Sequence, residues 1–238
     1  MAVQRDLIDT LGGALAAHAD AARAAPMQAY MKSALPFHGV PTPLRRRLVA
    51  DALNRHPLPD ADALADTALT LWRQATHREQ RYAALDLMRL PRHRRHVGLA
   101  LLPVLQEMML VGAWWDYNDE ISGGPLAWLL QAEPARMKPL LRRWARGEHL
   151  WLRRAAMLCQ RSLKTGFDPV LLYDCILPSI DGPLAGEFFI RKGMGWALRE
   201  RSYDAPDEVR AFCTEYAGQL SPLTRREALK ALARRALV

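Results

Sequence analysis

The sequence lacks most of what a metal, a nucleotide cofactor or a membrane would need. Its three cysteines, Cys159, Cys175 and Cys213, are odd in number and far apart, each in a helical-looking segment. No CxxC or other metal spacing exists, which points to reduced cytosolic thiols rather than a disulfide framework. The seven histidines are scattered. His93 and His96 come closest together, but Arg92, Arg94 and Arg95 surround them, a poor place to hold a cation. HExxH, Walker-type and GxGxxG patterns are missing too. No metal and no nucleotide cofactor are expected.

Long apolar runs are also missing. The most apolar stretch, Val97 to Trp115, is broken by Pro103, Gln106 and Glu107 and reads as buried helix rather than a bilayer span. Arg5 and Asp6 follow too few apolar residues for a signal peptide. No alternating run of useful length suggests a strand, and no long polar linker divides the chain. One domain over residues 1–238, cytoplasmic and nucleoid-associated, is the expectation.

What the chain does have is positive charge and helical spacing. Lys+Arg number 33 against 25 Asp+Glu, a formal net charge of +8. That favours a polyanionic partner, nucleic acid first and an anionic membrane surface second. Leu7, Leu11, Leu15 and His18 follow a three-to-four period. Helices are predicted over Met27 to Ser33, Thr42 to Asn54, Asp60 to Trp72, Arg78 to Leu90, Arg95 to Leu110, Trp114 to Ser122, Pro125 to Gln131 and Pro134 to Arg146. They continue over His149 to Leu163, Pro169 to Ile180, Glu187 to Arg201, Pro206 to Gly218 and Pro222 to Leu237. Breakers fall between them, notably Leu35 to Pro41 and Gly123-Gly124. Many helices joined by short loops suit stacked antiparallel pairs, so the expected fold is an all-α, HEAT-like solenoid with a concave basic face.

One stretch organises the functional reading: Trp114-Trp115-Asp116-Tyr117-Asn118-Asp119. A helix entered near Ala113 puts Trp115 and Asp119 four residues apart, on one face. An acid beside an aromatic wall suits a site that stabilises positive charge. Two core tryptophans beside a helix-capping aspartate would give the same spacing, and aromatics are more often buried than catalytic.

Cations and indoles also share helix faces. Trp151, Arg154 and Arg161 stand at spacings of three and seven; Lys192, Trp196 and Arg199 at four and three; Arg226, Lys230 and Arg234 repeat every four. Arg45, Arg46 and Arg47 follow the loop of Pro41 to Pro43. Such faces could pin phosphates while an aromatic packs on a nucleotide. A solvated arginine face with a buried tryptophan at its edge explains them equally.

Taken together, five segments resemble the motifs of the AlkD-like DNA alkylation repair family. They are Tyr30-Met31-Lys32 with Pro36 to Pro43, Trp114-Trp115-Asp116 with Asp119, and Trp151 to Ala156. Phe188 to Lys192 with Gly195 to Glu200, and Leu220 to Leu223 with Arg225 to Ala228, complete the set. The match runs in order across nearly the whole chain.

The resemblance implies a HEAT-repeat DNA glycosylase that excises cationic N3- or N7-alkylated purines from duplex DNA. It would be monofunctional, leave an abasic site, and need no deep base pocket. It implies Asp119 as the catalytic carboxylate, Trp115 and Trp196 as indoles lining the lesion's sugar and backbone, and Arg154 as the residue holding the DNA backbone beside them. Tyr30, Lys32, Arg45, Arg46, Arg191, Lys192, Arg225 and Arg226 are the expected DNA contacts, and a monomer is the expected state. Asn118 departs from the apolar residue expected before the aspartate, and should point away from the Trp115–Asp119 face. A non-catalytic HEAT-like nucleic-acid-binding module and a solenoid with an acidic protein partner are the competing readings.

Overall fold

A computed structural model describes residues 3–163 and 165–235. Among these residues every regular element is helical and none is a strand, the class of the helical-repeat solenoids. The chain divides into two compact units, Met1–Met108 and Met109–Val238.

The first unit holds α1 (Arg5–Ala17), α2 (Ala21–Met31), α3 (Thr42–Arg55), α4 (Ala61–Arg73) and α5 (Arg78–Arg89). The predicted stripe of α1 is its buried face: Leu7, Leu11 and Leu15 are fully enclosed, against α3 and α5. His18 is not part of it; it ends the helix and its ring bonds the Ala14 carbonyl. α2 starts earlier than expected because the Asp20 side chain accepts from the amides of Ala22 and Arg23, an N-cap.

The breaker-rich loop at residues 36–41 is organised by an acid far along the chain. Fully buried Glu79 of α5 accepts from the amides of His38 at 2.9 Å, Gly39 at 2.8 Å and Val40 at 3.1 Å. Gly39 has φ +87°, and a Cβ there would stand 2.1 Å from the Asp20 carbonyl oxygen, so only glycine fits. His38 and His77 stack with ring centroids 3.7 Å apart. Burial, then the neighbouring His77, push the His38 pKa down, and Glu79 opposes them.

The single helix predicted over Arg95 to Leu110 is divided. Short 3-10 turns at Pro91–His96 and Leu99–Leu101 precede α6 (Leu102–Gly112). Pro91 and Gly98 interrupt the spacing, and Pro103 enters at the second position of α6, where its missing N–H has no partner to lose.

The second unit holds α7 (Trp115–Ile121), α8 (Ala127–Ala132), α9 (Pro134–Arg146), α10 (Leu150–Leu158), α11 (Pro169–Ile176), α12 (Phe188–Arg201), α13 (Pro206–Glu215) and α14 (Pro222–Arg235). Between α7 and α8 lies a wide turn, Ser122–Leu126, where Gly124 leaves helical geometry; this is the break expected at Gly123-Gly124. α14 is described to residue 235, so the predicted residues 236 and 237 lie outside the described residues. α10 packs against α7, α9 and α12, and α12 against α14. Gly195 makes the last pairing close, since a Cβ there would meet the Glu227 Cβ at 2.6 Å and the Thr224 carbonyl at 2.8 Å.

Candidate active site

Ala113, directly before the tryptophan pair, takes φ +41°, a left-handed conformation uncommon for a residue with a side chain. Trp114 is then extended and caps α7, its carbonyl accepting from the amide of Asn118 at 3.3 Å. The Asn118 side chain donates to the same carbonyl at 2.9 Å. Asn118 is thus folded back on its own helix. Trp115 opens α7, half-buried, with Asp119 one turn later.

Asp119 is 7 % exposed, and Arg154 of α10 meets it in a two-pronged ion pair. Nε donates to Oδ1 and Nη2 to Oδ2, each at 2.9 Å. The third arm of Arg154, Nη1, donates to the Phe189 carbonyl at 2.5 Å. Gly193 provides the room, for a Cβ there would lie 2.9 Å from Nη1. Burial lifts the Asp119 pKa above the ordinary range; the Arg154 hydrogen bonds and charge, then Arg161, pull it down, and Asp116 lifts it slightly.

Arg161 does not share a face with Trp151 and Arg154, because α10 ends at Leu158 and Arg161 falls in the turn beyond it. Its Nη2 donates to the Asp119 main-chain carbonyl at 2.6 Å. Its guanidinium carbon lies 4.4 Å from the centre of the Trp196 ring. Trp196 is half-buried on α12 and its Nε1 donates to Glu200 at 2.8 Å. Asp119, Arg154 and Trp196 are therefore linked in one cluster, and Arg161 is the link the spacing did not anticipate. Beside it, Trp114, Trp151 and Phe189 pack ring against ring at centroid distances of 5.1–6.3 Å, with Phe188 exposed against Phe189.

The expected DNA contacts separate by environment. Tyr30 is 75 % exposed and Lys32 is exposed at the left-handed end of α2. Arg45 is buried instead: its Nε donates to Asp86 at 2.8 Å and its guanidinium carbon sits 4.8 Å from the Tyr82 ring centre. Arg46 is exposed and bonds the other oxygen of Asp86 at 3.3 Å. On α12, Arg191 is half-buried and donates to the Ala185 carbonyl at 2.7 Å. Lys192 and Arg199 each hold one oxygen of buried Glu227 at 2.6 Å. Arg225 and Arg226 are exposed on α14.

Among the described residues no group of three or more His, Cys, Asp or Glu side chains could hold a metal ion. No helix of the described residues is long and apolar enough to cross a membrane. What the cluster can do is hold a buried negative charge in a cationic frame of Arg154 and Arg161, with the Trp196 indole adjoining it through Arg161.

The model of the family described as DNA alkylation repair enzyme matches residues 12–232. Among solved structures, the chain is similar to one described as a predicted DNA alkylation repair enzyme from Enterococcus faecalis. The TM-score is 0.78 at 29 % identity, over 90 % of this chain and 97 % of that one. None of the curated proteins compared with the chain matches it.

Proposed function

Since the chain belongs to the DNA alkylation repair enzyme family, we propose that it is a monofunctional DNA glycosylase acting on cationic N3- and N7-alkylated purines in duplex DNA. The observation that carries this reading is the buried Asp119 carboxylate, fixed by both prongs of Arg154 and joined through Arg161 to Trp196.

The chemistry follows from the charge of the substrate. An N3- or N7-alkylpurine is a cation, so cleaving its glycosidic bond releases a neutral base and needs no general acid. The positive charge passes to the sugar, whose transition state resembles an oxocarbenium ion. Asp119 would stabilise that charge and orient the attacking water. Arg154 would keep the carboxylate from rotating, so little reorganisation is left for the reaction. Trp115 and Trp196 would contribute cation–π contact of roughly 1–2 kcal/mol each when desolvated. As each tenfold of rate needs about 1.4 kcal/mol, such contacts suffice only for a labile leaving group. Neutral lesions such as uracil would be left intact. No lysine is paired with the cluster among the described residues, so no amine nucleophile is invoked and the product is an abasic site.

A duplex carrying 7-methylguanine tests the reading, with base release followed by chromatography and abasic sites by alkaline cleavage. Release by the wild type and none by Asp119→Asn supports it; equal release removes Asp119 from the chemistry. The second reading is a non-catalytic DNA-binding module. One observation favours it: both Asp119 oxygens are already bonded by Arg154, as in a purely structural ion pair. Salt-sensitive binding without base release would select it.

A further inference from the structure

Arg161 has no part in the chemistry just described, yet its surroundings are specific. On one side its Nη2 holds the main-chain carbonyl of Asp119 at 2.6 Å. On the other its guanidinium carbon lies over the Trp196 ring, 4.4 Å from the ring centre. The stacked indole is itself fastened, by Nε1 to Glu200 at 2.8 Å. The space for the guanidinium comes from Gly123, where a Cβ would stand 2.6 Å from Nη2 and 2.8 Å from Cζ. Ser162, the next residue, donates to the Gly123 carbonyl at 2.8 Å and fastens the same turn to the segment after α7. The Arg161 Nε is buried and has no hydrogen-bond partner among the described residues. Leaving a buried donor unpaired costs about 1–3 kcal/mol, so the position is maintained by the stack and the carbonyl rather than by ordinary satisfaction of the side chain.

We infer that Arg161 is a positioning residue, which ties the backbone of Asp119 to the indole of Trp196 and so sets the spacing between carboxylate and aromatic wall. The inference rests on the glycosylase reading for its meaning, since that spacing is where the sugar of the lesion would sit. Only arginine combines a planar face for the indole with a fork of donors for the carbonyl; lysine keeps the charge without the plane. The charged groups facing Asp119 are Arg154 from α10, Arg161 from the turn beyond it and Asp116 from its own helix. Glu200 faces Arg161 from α12. Removing Arg161 therefore subtracts a cation from the surroundings of Asp119 as well as a tether.

Three variants test this: Arg161→Ala, Arg161→Lys and Gly123→Ala. The last leaves Arg161 chemically intact and displaces the end of a flexible side chain, so the fold is retained. Single-turnover release of 7-methylguanine gives a saturating rate and a half-saturating protein concentration. Arg161→Ala and Gly123→Ala should each lower the saturating rate about tenfold or more, with the half-saturating concentration within about threefold of wild type. Arg161→Lys should fall between. In parallel, protein labelled with 13C at aspartate carboxyls reports the titration of Asp119, identified by its loss in Asp119→Asn. That titration should move to higher pH in Arg161→Ala and stay near the wild-type position in Arg161→Lys. An unmoved titration overturns the inference. So does a loss confined to the half-saturating concentration that disappears on matching ionic strength, the mark of a phosphate contact. Should the wild type release no base, the glycosylase reading fails, and the titration alone still decides whether Arg161 governs Asp119.

Discussion

Arg154 grips Asp119 edge to edge, Nε on Oδ1 and Nη2 on Oδ2, both at 2.9 Å and both out of solvent. A buried pair of this kind is worth little against an apolar replacement, but removing one partner strands the other. Arg154→Ala should cost about 3–5 kcal/mol, a fall in Tm of roughly 6–20 °C for a chain of this size. Arg154→Lys keeps a cation near Asp119 and loses the fork. It should fold and yet release base at least about tenfold more slowly. Thermal unfolding and single-turnover release, run on the same preparations, separate the two effects.

The pH dependence follows from the burial of Asp119. Burial raises its folded-state pKa above the unfolded value, with Arg154 and Arg161 opposing. The folded chain thus holds a proton in a window where the unfolded chain has lost it. The stability this contributes is fully present below the unfolded pKa and is lost as pH rises through the folded pKa. Under the proposed mechanism activity runs the other way, because the ionised carboxylate would be the working form. Base release corrected for spontaneous depurination should fall, as pH drops, at a pH above that of an ordinary aspartate. A fall no higher than the pH at which an ordinary aspartate titrates would assign the limb to another group.

Glu79 is predicted to act on stability alone. It gathers the amides of His38, Gly39 and Val40, the work an anion does in a backbone nest. Glu79→Gln replaces one acceptor oxygen by a donor facing those amides, for about 1–3 kcal/mol lost. Gly39→Ala should be worse, because its φ of +87° and a 2.1 Å approach to the Asp20 carbonyl leave no place for a methyl. Both should lower Tm while base release well below the transition stays at the wild-type rate. A slowed rate with unchanged Tm would give the loop a role in the reaction.

Periodicity made the local features legible. The Leu7, Leu11 and Leu15 face of α1, and the turn of α7 that separates Trp115 from Asp119, follow from spacing alone. Pairings across sequence did not follow. Asp86 takes Arg45 from 41 residues away, and Glu227 takes Lys192 from 35, so residues read as open cations are paired with acids. Arg161 was misplaced for a different reason: a helix continued to Leu163 puts it on the Trp151 face, whereas α10 stops at Leu158. A signal for the cluster was nonetheless present. Gly193 and Gly195 interrupt α12, at about 1 kcal/mol each in a helix interior, and glycine kept there points to a close neighbour. The neighbours are Arg154 for the first and Glu227 with Thr224 for the second.

The same pairings sort the cations that would contact DNA. Arg225 and Arg226 are exposed on α14, whereas Arg45 is buried on Asp86 with Tyr82 beneath it. If Arg225 meets a phosphate, Arg225→Ala should weaken duplex binding equally across sequences and reduce the slope of log K against log salt by about one. Arg226→Ala should do the same, and the double variant should reduce the slope by about two, the sites being independent phosphate contacts. Arg45→Ala should leave the slope alone and lower Tm instead, since it removes the buried partner of Asp86 and leaves that carboxylate only the longer bond from exposed Arg46. Fluorescence anisotropy with an undamaged duplex at several salt concentrations measures all four proteins. An unchanged slope in the double variant would take α14 out of the DNA interface, and a reduced slope in Arg45→Ala would show that its pair with Asp86 opens to admit a phosphate.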